Sequence, residues 1–180
     1  MAAFPTTVGI QGMTMRLRSA TAMTESTFTY DQQVFSHPGV RWEAEVTLPP
    51  MTRSQAKEYE GFFAGLRGMK ETFTMGNPLH TTSVTGTVTG AVNATQITEN
   101  FSGSFVVGDY FSVSGHLHII TEIVNATTIK VMPPLRQAAS GATVDFTLPS
   151  GVWRLASNEI GWSINEASIY GFSFACIEAI

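Results

Sequence analysis

Two histidines one residue apart, His116 and His118, are the first place to look for chemistry in this 180-residue chain. Alternate residues on a strand share a face, so both imidazoles could hold zinc or iron, with Asp109 upstream as a carboxylate. A third ligand at motif-like spacing is missing, and the plainer expectation is two histidines at a strand edge. Glu43 and Glu45 form a second candidate. Residues i and i+2 on a strand lie about 6.5–7 Å apart, near the carboxylate spacing of an inverting glycosidase. Arg41 shares their face, however, so ion pairing on a solvated or interface surface is expected instead. Gly86-Thr87-Val88-Thr89-Gly90 lacks the lysine and following helix of a phosphate cradle, and no nucleophile elbow or dinucleotide glycine pattern occurs. His37 and His80 sit beside turns without an obvious partner. Trp42 and Trp162 are in phase with apolar strand faces and are expected in the core, while Trp153 stays open between core and sugar-stacking platform. The chain therefore reads as non-enzymatic, with no catalytic, metal-binding or cofactor-binding residue assigned.

The stretch 39–78 must position most of these groups. Val40, Trp42, Ala44, Val46 and Leu48 alternate with Arg41, Glu43, Glu45 and Thr47, the period-2 pattern of a half-buried strand. Pro49 and Pro50 cannot donate ladder hydrogen bonds and end it. Thr52 and Gln55 fit a capping box, and Ala56, Tyr59, Phe62, Phe63 and Leu66 make one apolar helical stripe. Arg67 and Gly68 give a basic last turn and a glycine stop.

Upstream, residues 1–12 read as an arm, Met13–Arg18 as a strand with Arg16 and Arg18 on its polar face, and Ser19–Ser26 as a loop. Thr27–Ser36 reads as a second strand and His37-Pro38-Gly39 as a turn. After Pro78 the composition shifts to Thr, Ser, Val, Gly and Asn. Four or five short strands with tight turns then suggest a small β-barrel, OB-like as one possibility. Ala142–Leu148, Val152–Ala156, Glu159–Ala167 and Ser168–Ile180 are expected to resume the first domain. The last of these carries Tyr170, Phe172, Phe174 and Cys176 on one face and Gly171, Ser173 and Ala175 on the other. That small face is expected to admit a close-packed backbone or the helix. The expected organisation is mainly β: a β-sandwich with one flanking helix, built from 1–84 and 142–180, with an inserted barrel at 85–141.

Composition narrows the function classes. Hydrophobic residues make up 43% and charged residues only 13%, against roughly 25% charged in soluble domains. That deficit fits an obligate oligomer, whose interface cores are depleted of charge, or a Thr/Ser-rich β protein solvated by hydroxyls. A net charge of −4 argues against electrostatic capture of nucleic acid. No apolar run reaches the roughly 20 residues that cross a bilayer. The N-terminus MAAFPTTVGIQG has neither a basic region nor a long apolar stretch, so no signal peptide is expected. Cys176 is the one cysteine, which excludes an internal disulfide and a cysteine-rich metal centre and reads as a small core residue.

A strand with central Trp42, then Leu48-Pro49-Pro50, a helix, Leu66-Arg67-Gly68, a strand with Phe73 and Gly76-Asn77-Pro78 resembles the distal tail protein family of long-tailed bacteriophages. The likeness continues more weakly through Gly108-Asp109, Pro133-Pro134-Leu135-Arg136 and the final strand. The resemblance implies a tail-tube-like ring domain and a structural virion protein at the distal end of the tail, assembled in the host cytoplasm. Its ring, expected to be hexameric, would join the tail tube protein to hub or tip proteins. It would also enclose a channel through which DNA passes without specific binding. On this reading Trp42, Tyr59, Phe62, Phe63 and Leu66 hold helix to sheet, while Arg16, Arg18, Arg41, Glu43 and Glu45 are candidates for inter-subunit or lumen contacts. Three rivals stand beside it: a carbohydrate- or receptor-binding module using Trp153 or Tyr110, a small metal enzyme using His116 and His118, and a tube or terminator protein.

Overall fold

The computed structural model of the chain describes residues 1–78, 82–166 and 168–180, so His80 and the expected strand's last residue, Ala167, lie outside the described residues. In chain order the elements are β1 (Ala2–Ala3), β2 (Gly12–Glu25), β3 (Gln32–Thr47), β4 (Met51–Thr52) and α1 (Arg53–Leu66). There follow β5 (Phe73–Gly76), β6 (Thr85–Gly90), β7 (Gln96–Ser102), β8 (Tyr110–Val113), β9 (His116–Asn125) and β10 (Thr128–Met132). β11 (Ala139–Asp145), β12 (Ser150–Leu155), β13 (Trp162–Ile164) and β14 (Ile169–Glu178) complete the fold. The chain is mainly β: a mixed sheet with one helix, joined to a closed six-stranded antiparallel barrel.

The sheet runs β1-β5-β12-β14-β3-β2, and among the described residues only β1 and β5 pair in parallel. β14 lies at its centre. Its residues 169–172 pair with β4 and β13, and residues 173–178 pair with β3 and β12. Tyr170, Phe172, Phe174 and Cys176 are all buried, as their alternation requires. α1 covers this aromatic face: Phe63 stacks on Phe172 at 5.9 Å between centroids and meets Phe174 edge-on at 5.0 Å. Of the two expected occupants of the small-residue face, a close-packed backbone or the helix, the helix does not lie there. Ser173 and Ala175 are exposed, and only Gly171 is covered, by β13, where an added Cβ would lie 2.9 Å from Ser163 Oγ. The aromatic face wins because it offers far more apolar area to remove from water.

The helix starts as its sequence dictates. The Thr52 N–H donates to Gln55 Oε1 at 3.0 Å, the return half of a capping box. It ends at Leu66, and Arg67, expected to make a basic last turn, lies beyond it as the cap in the left-handed conformation, with φ 52°. Gly68 follows at φ 67°, and an added Cβ there would lie 2.8 Å from the Asn158 backbone.

β5 and β12 pair directly through Gly76 and Ser150, so the barrel is an insertion into the hairpin they form. Its two necks stay zipped: the Asn77 N–H donates to Pro149 O at 2.9 Å and the Thr82 N–H to Phe146 O at 3.3 Å. The barrel closes in the order β10-β7-β6-β11-β8-β9, one strand more than expected. Its core is Val88, Ile97, Phe111, Ile120, Ile129, Val131, Val144 and Phe146, with neighbours. The segment from Ala142, expected to resume the first domain, is the later part of β11 and pairs with β6 and β8 inside the barrel. Its Val144 and Phe146 look like any apolar strand residues, and only closure of the barrel decides where they go.

A second difference lies near the N-terminus. The expected loop Ser19–Ser26 and the two short strands around it form one long hairpin, with β2 and β3 in register from Gly12–Thr47 to Glu25–Gln32. His37-Pro38-Gly39 is no turn; it is the irregularity in β3 where the register shifts between Ser19 and Thr21. Small Ser, Thr and Ala side chains left the second half of β2, from Ser19, with no alternation to read, yet its backbone pairs all the same.

Phe63 is 1% exposed, whereas Phe62 is only partly buried, edge-on to Phe4 and Phe73. Phe63→Ala is therefore expected to cost about 3–5 kcal/mol, and Phe62→Ala about half of that. Urea titration of both variants decides it, and equal losses would contradict the helix orientation.

Candidate assembly site

The residues singled out for contacts with other subunits do share one surface. β2 and β3 are paired so that Arg16 lies opposite Glu43, Thr14 opposite Glu45 and Arg18 opposite Arg41, all on the side away from the helix. Arg16 Nη1 meets Glu45 Oε1 at 2.9 Å, and Glu43 Oε1 accepts from Arg41 at 2.8 Å and from Arg18 at 3.4 Å. The hydrogen bond from Arg41, with help from Arg18, holds the Glu43 carboxyl below the usual carboxylate range. A general acid needs the opposite shift, and both carboxylates are engaged with arginines as an ion-paired ladder. Beside them Ser173 and Ala175 continue the same face with small side chains, leaving it flat, with a shallow recess lined by Gly12, Thr14, Glu45, Thr47 and Ala175.

At one end of this surface the β2–β3 hairpin leaves the sheet. Pairing of β3 with β14 ends at Glu43–Ile177, yet the hairpin continues to its tip at residues 26–31. From Ser19 to Gly39 every residue but Ser26 is exposed. About seven residue pairs at roughly 3.3 Å each make an arm about 23 Å long. Met23, Phe28, Tyr30, Val34 and Phe35 stand out from it, Phe28 at 93% exposed and Tyr30 at 73%. β2 is also the free edge of the sheet, 14 residues long. A lone two-stranded ribbon is marginal in water, and a long exposed apolar edge invites pairing with another chain.

Sequence reasoning missed a third feature, the polar junction between barrel and sheet. Arg136, in the loop after β10, reaches across to Glu178 on β14: Nε donates to Oε1 at 2.9 Å and Nη2 to Oε2 at 2.7 Å. Both side chains are nearly buried, at 9% and 3% exposed. Arg136 Nη2 also donates to Val40 O, and the Trp42 N–H donates to Glu178 Oε2 at 3.0 Å. The Trp42 indole N–H donates to Leu117 O on β9 at 2.9 Å, and its ring lies 5.8 Å from that of Tyr110. Trp42 is thus buried as expected, but it ties the sheet to the barrel. Tyr59, Phe63 and Leu66 are buried against the sheet. The only available signal was Glu178 itself, a carboxylate in phase with the apolar face of β14.

The two histidines belong to this junction and not to an exposed edge. His118 is fully buried, with Nδ1 2.8 Å from Pro133 O, and His116 Nδ1 lies 3.9 Å from Glu178 Oε1. Asp109 is elsewhere, accepting the Val106 N–H at 2.9 Å in a turn. Among the described residues no three His, Cys, Asp or Glu side chains converge as a metal site. Burial pushes the His118 imidazole down to about 4, against the pull of Pro133 O and Glu178 and with the push of His116 and Arg136. Burial lowers His116 as well. Cys176 is buried in the sheet, which pushes its thiol up to about 12 and leaves it unreactive.

The tryptophans also divide differently from expectation. Trp153 is 1% exposed and donates from its indole to Met75 O at 3.1 Å, so no sugar can stack on it. Trp162, expected in the core, is 39% exposed, because β13 is a three-residue edge and the ring rests on Phe172 with one side uncovered. No protein-family model and no curated protein sequence matches this chain.

Because both imidazoles bind protons more weakly folded than unfolded, their contribution to stability is fully present above pH 6.5 and is lost as pH falls, for His118 toward about 4. For His118 the loss is on the order of 3 kcal/mol. Urea midpoints across that window are expected to fall for the native chain and to fall less for His118→Gln. Removing the arginine is the harsher test. Arg136→Met leaves Glu178 buried without a cation and is expected to cost about 3–5 kcal/mol at neutral pH, whereas Arg136→Met with Glu178→Leu should recover part of it.

Proposed function

We propose that this chain is a structural ring protein of a bacteriophage tail, a distal adaptor between the tail tube and the tip or hub. The observation that carries this reading is the β2–β3 arm. It is exposed on both faces, bears five large apolar side chains and continues the free edge of the sheet. Such an element gains its stability from a neighbour. A sheet with one free long edge on each copy satisfies those edges by repeating around a closed ring.

The flat outer face supports the same reading. Three arginines face two glutamates there, Arg18 and Arg41 sharing Glu43, so most of the charge is neutralised, and small residues surround them. A surface of that kind can line a channel without gripping a polyanion, and six copies at −4 each, −24 in all, would repel DNA. The order of motifs from Trp42 to Pro78, which resembles that of distal tail proteins, supplies the biological setting. The tail tube protein on one side and the hub on the other are then the partners. A tube or terminator protein is the neighbouring alternative within the same class, and the barrel inserted between β5 and β12 favours the adaptor. The sugar-binding rival relied on Trp153, which is buried, and on Tyr110, which is half-buried against Trp42.

Negative-stain imaging and light scattering of the purified chain test the reading. Rings with a central hole at about six times the 19.5 kDa chain mass are expected. A chain that stays monomeric at high concentration, alone and when mixed with assembled tail tube, would overturn it.

A further inference from the structure

We infer that the barrel is a duplication, two copies of one three-stranded unit interlaced about a twofold axis, and that only one of its two equivalent outer faces is adapted to seat the sheet. The units are β6-β7-β8 and β9-β10-β11. Their trace in the sequence is short. Val92-Asn93-Ala94-Thr95-Gln96-Ile97 recurs as Val124-Asn125-Ala126-Thr127-Thr128-Ile129, each time across the turn between a unit's first and second strands.

The strand registers are the stronger sign. Exchanging β6, β7 and β8 with β9, β10 and β11 leaves the closed order β10-β7-β6-β11-β8-β9 unchanged, read in the opposite direction. The axis passes between β7 and β10, where Ile97 pairs with its own counterpart Ile129. Two flanking bonds are counterparts as well: the Glu99 N–H donates to Thr127 O at 2.9 Å and the Val131 N–H to Thr95 O at 2.8 Å. Within the units, the pair Val88–Glu99 corresponds to Ile120–Val131, and Thr87–Asn100 to Ile119–Met132. Between them, Ile119–Tyr110 corresponds to Thr87–Thr143. Just ahead of these last pairs each unit has a left-handed glycine, Gly108 at φ 99° and Gly141 at φ 64°. The axis leaves the barrel at the Ser112–Asp145 pair of β8 and β11.

Burial follows the same correspondence. Val88 and Ile120, Ile97 and Ile129, Phe111 and Val144, and Val113 and Phe146 are all buried. A slip of one residue in any strand would turn its core side chains outward, so this agreement is specific. The third strand of each unit pairs only with the other unit: β8 with β9 and β11, β11 with β6 and β8. The interlaced units therefore make one body and not two.

The axis makes two outer faces equivalent in backbone, yet their side chains differ. Tyr110, Leu117 and Ile119 pack with the core of the sheet. Their counterparts are Thr143 and Thr85, both exposed, and Thr87, half-buried. The link from second to third strand differs too. Residues 133–138 supply Arg136 to Glu178, whereas residues 103–109 contain no basic residue. The barrel thus meets the sheet through a few side chains laid over a face that its own fold does not require.

Hydrogen exchange in the full-length chain tests this. Tyr110→Thr combined with Leu117→Thr and Ile119→Thr gives the docked face the residues of its counterpart. Exchange of the Trp42 N–H, bonded to Glu178 at the seam, is expected to quicken about tenfold or more in that variant. Exchange of the Glu99 and Val131 N–H groups beside the axis is expected to change less than about twofold. Val88→Ile combined with Ile120→Val exchanges two core counterparts without changing their summed volume, and all three rates are expected to stay within about twofold. Loss of protection at Glu99 and Val131 in either variant would overturn the equivalence of the units. An unchanged Trp42 rate in the first variant would overturn the assignment of docking to that face.

Discussion

The pairing of Arg136 with Glu178 is the constraint on which the arrangement of this molecule depends. A carboxylate on the central strand of a sheet, in phase with Tyr170, Phe172, Phe174 and Cys176, has no water to solvate it. Left alone it would be a buried charge without a partner, and burying it would cost more than the end of β14 gains from its place in the core. The barrel loop after β10 supplies the missing cation as a two-point fork, and the same guanidinium donates to Val40 O on the adjacent strand. The end of β14, the start of the buried half of β3 and the barrel are thereby fixed to one another. A buried ion pair of this type adds little net stability over an apolar replacement, but it tolerates only one docking geometry. That selectivity matters where two domains meet across few elements.

β9 shows the same joining in its side chains. Leu117 packs with the sheet core and Ile120 with the barrel core, so one strand serves as a wall to both. Trp42 closes the seam from the other side, with its indole on the Leu117 carbonyl. The two cores are separate clusters, yet they cannot be displaced relative to each other without breaking buried polar bonds that water would not replace at once.

Much of this was legible in residues whose pattern is local. The alternation from Val40 to Leu48, the proline corner, the Thr52–Gln55 cap and the stripe Ala56, Tyr59, Phe63, Leu66 each declare themselves within a few positions. What could not be read depends on partners far away in the chain. Ser19–Glu25 becomes strand because Gln32–Val40 lies opposite it, not through any preference of its own. Val144 belongs to the barrel because β6 and β8 leave a gap there. His116 and His118 looked like an exposed pair, since nothing in their neighbourhood announces that Pro133 and Glu178 will cover them. The ion-paired face was legible in part: Arg41 beside Glu43 is adjacent in sequence, whereas Arg16 on Glu45 required the hairpin register.

The zipped necks of the barrel have a consequence for how such a chain can change over evolution. Because the chain leaves β5 and re-enters β12 at hydrogen-bonded neighbours, the sheet is indifferent to what lies between them, and a different module could be grafted there without altering a single strand register. The sheet is not indifferent to one atom group. Any graft must bring a cation to Glu178 and an acceptor to the Trp42 indole, or the host must lose its carboxylate in the same step. Exchange of the inserted module is therefore free in length and shape but bound to a two-residue password at the seam.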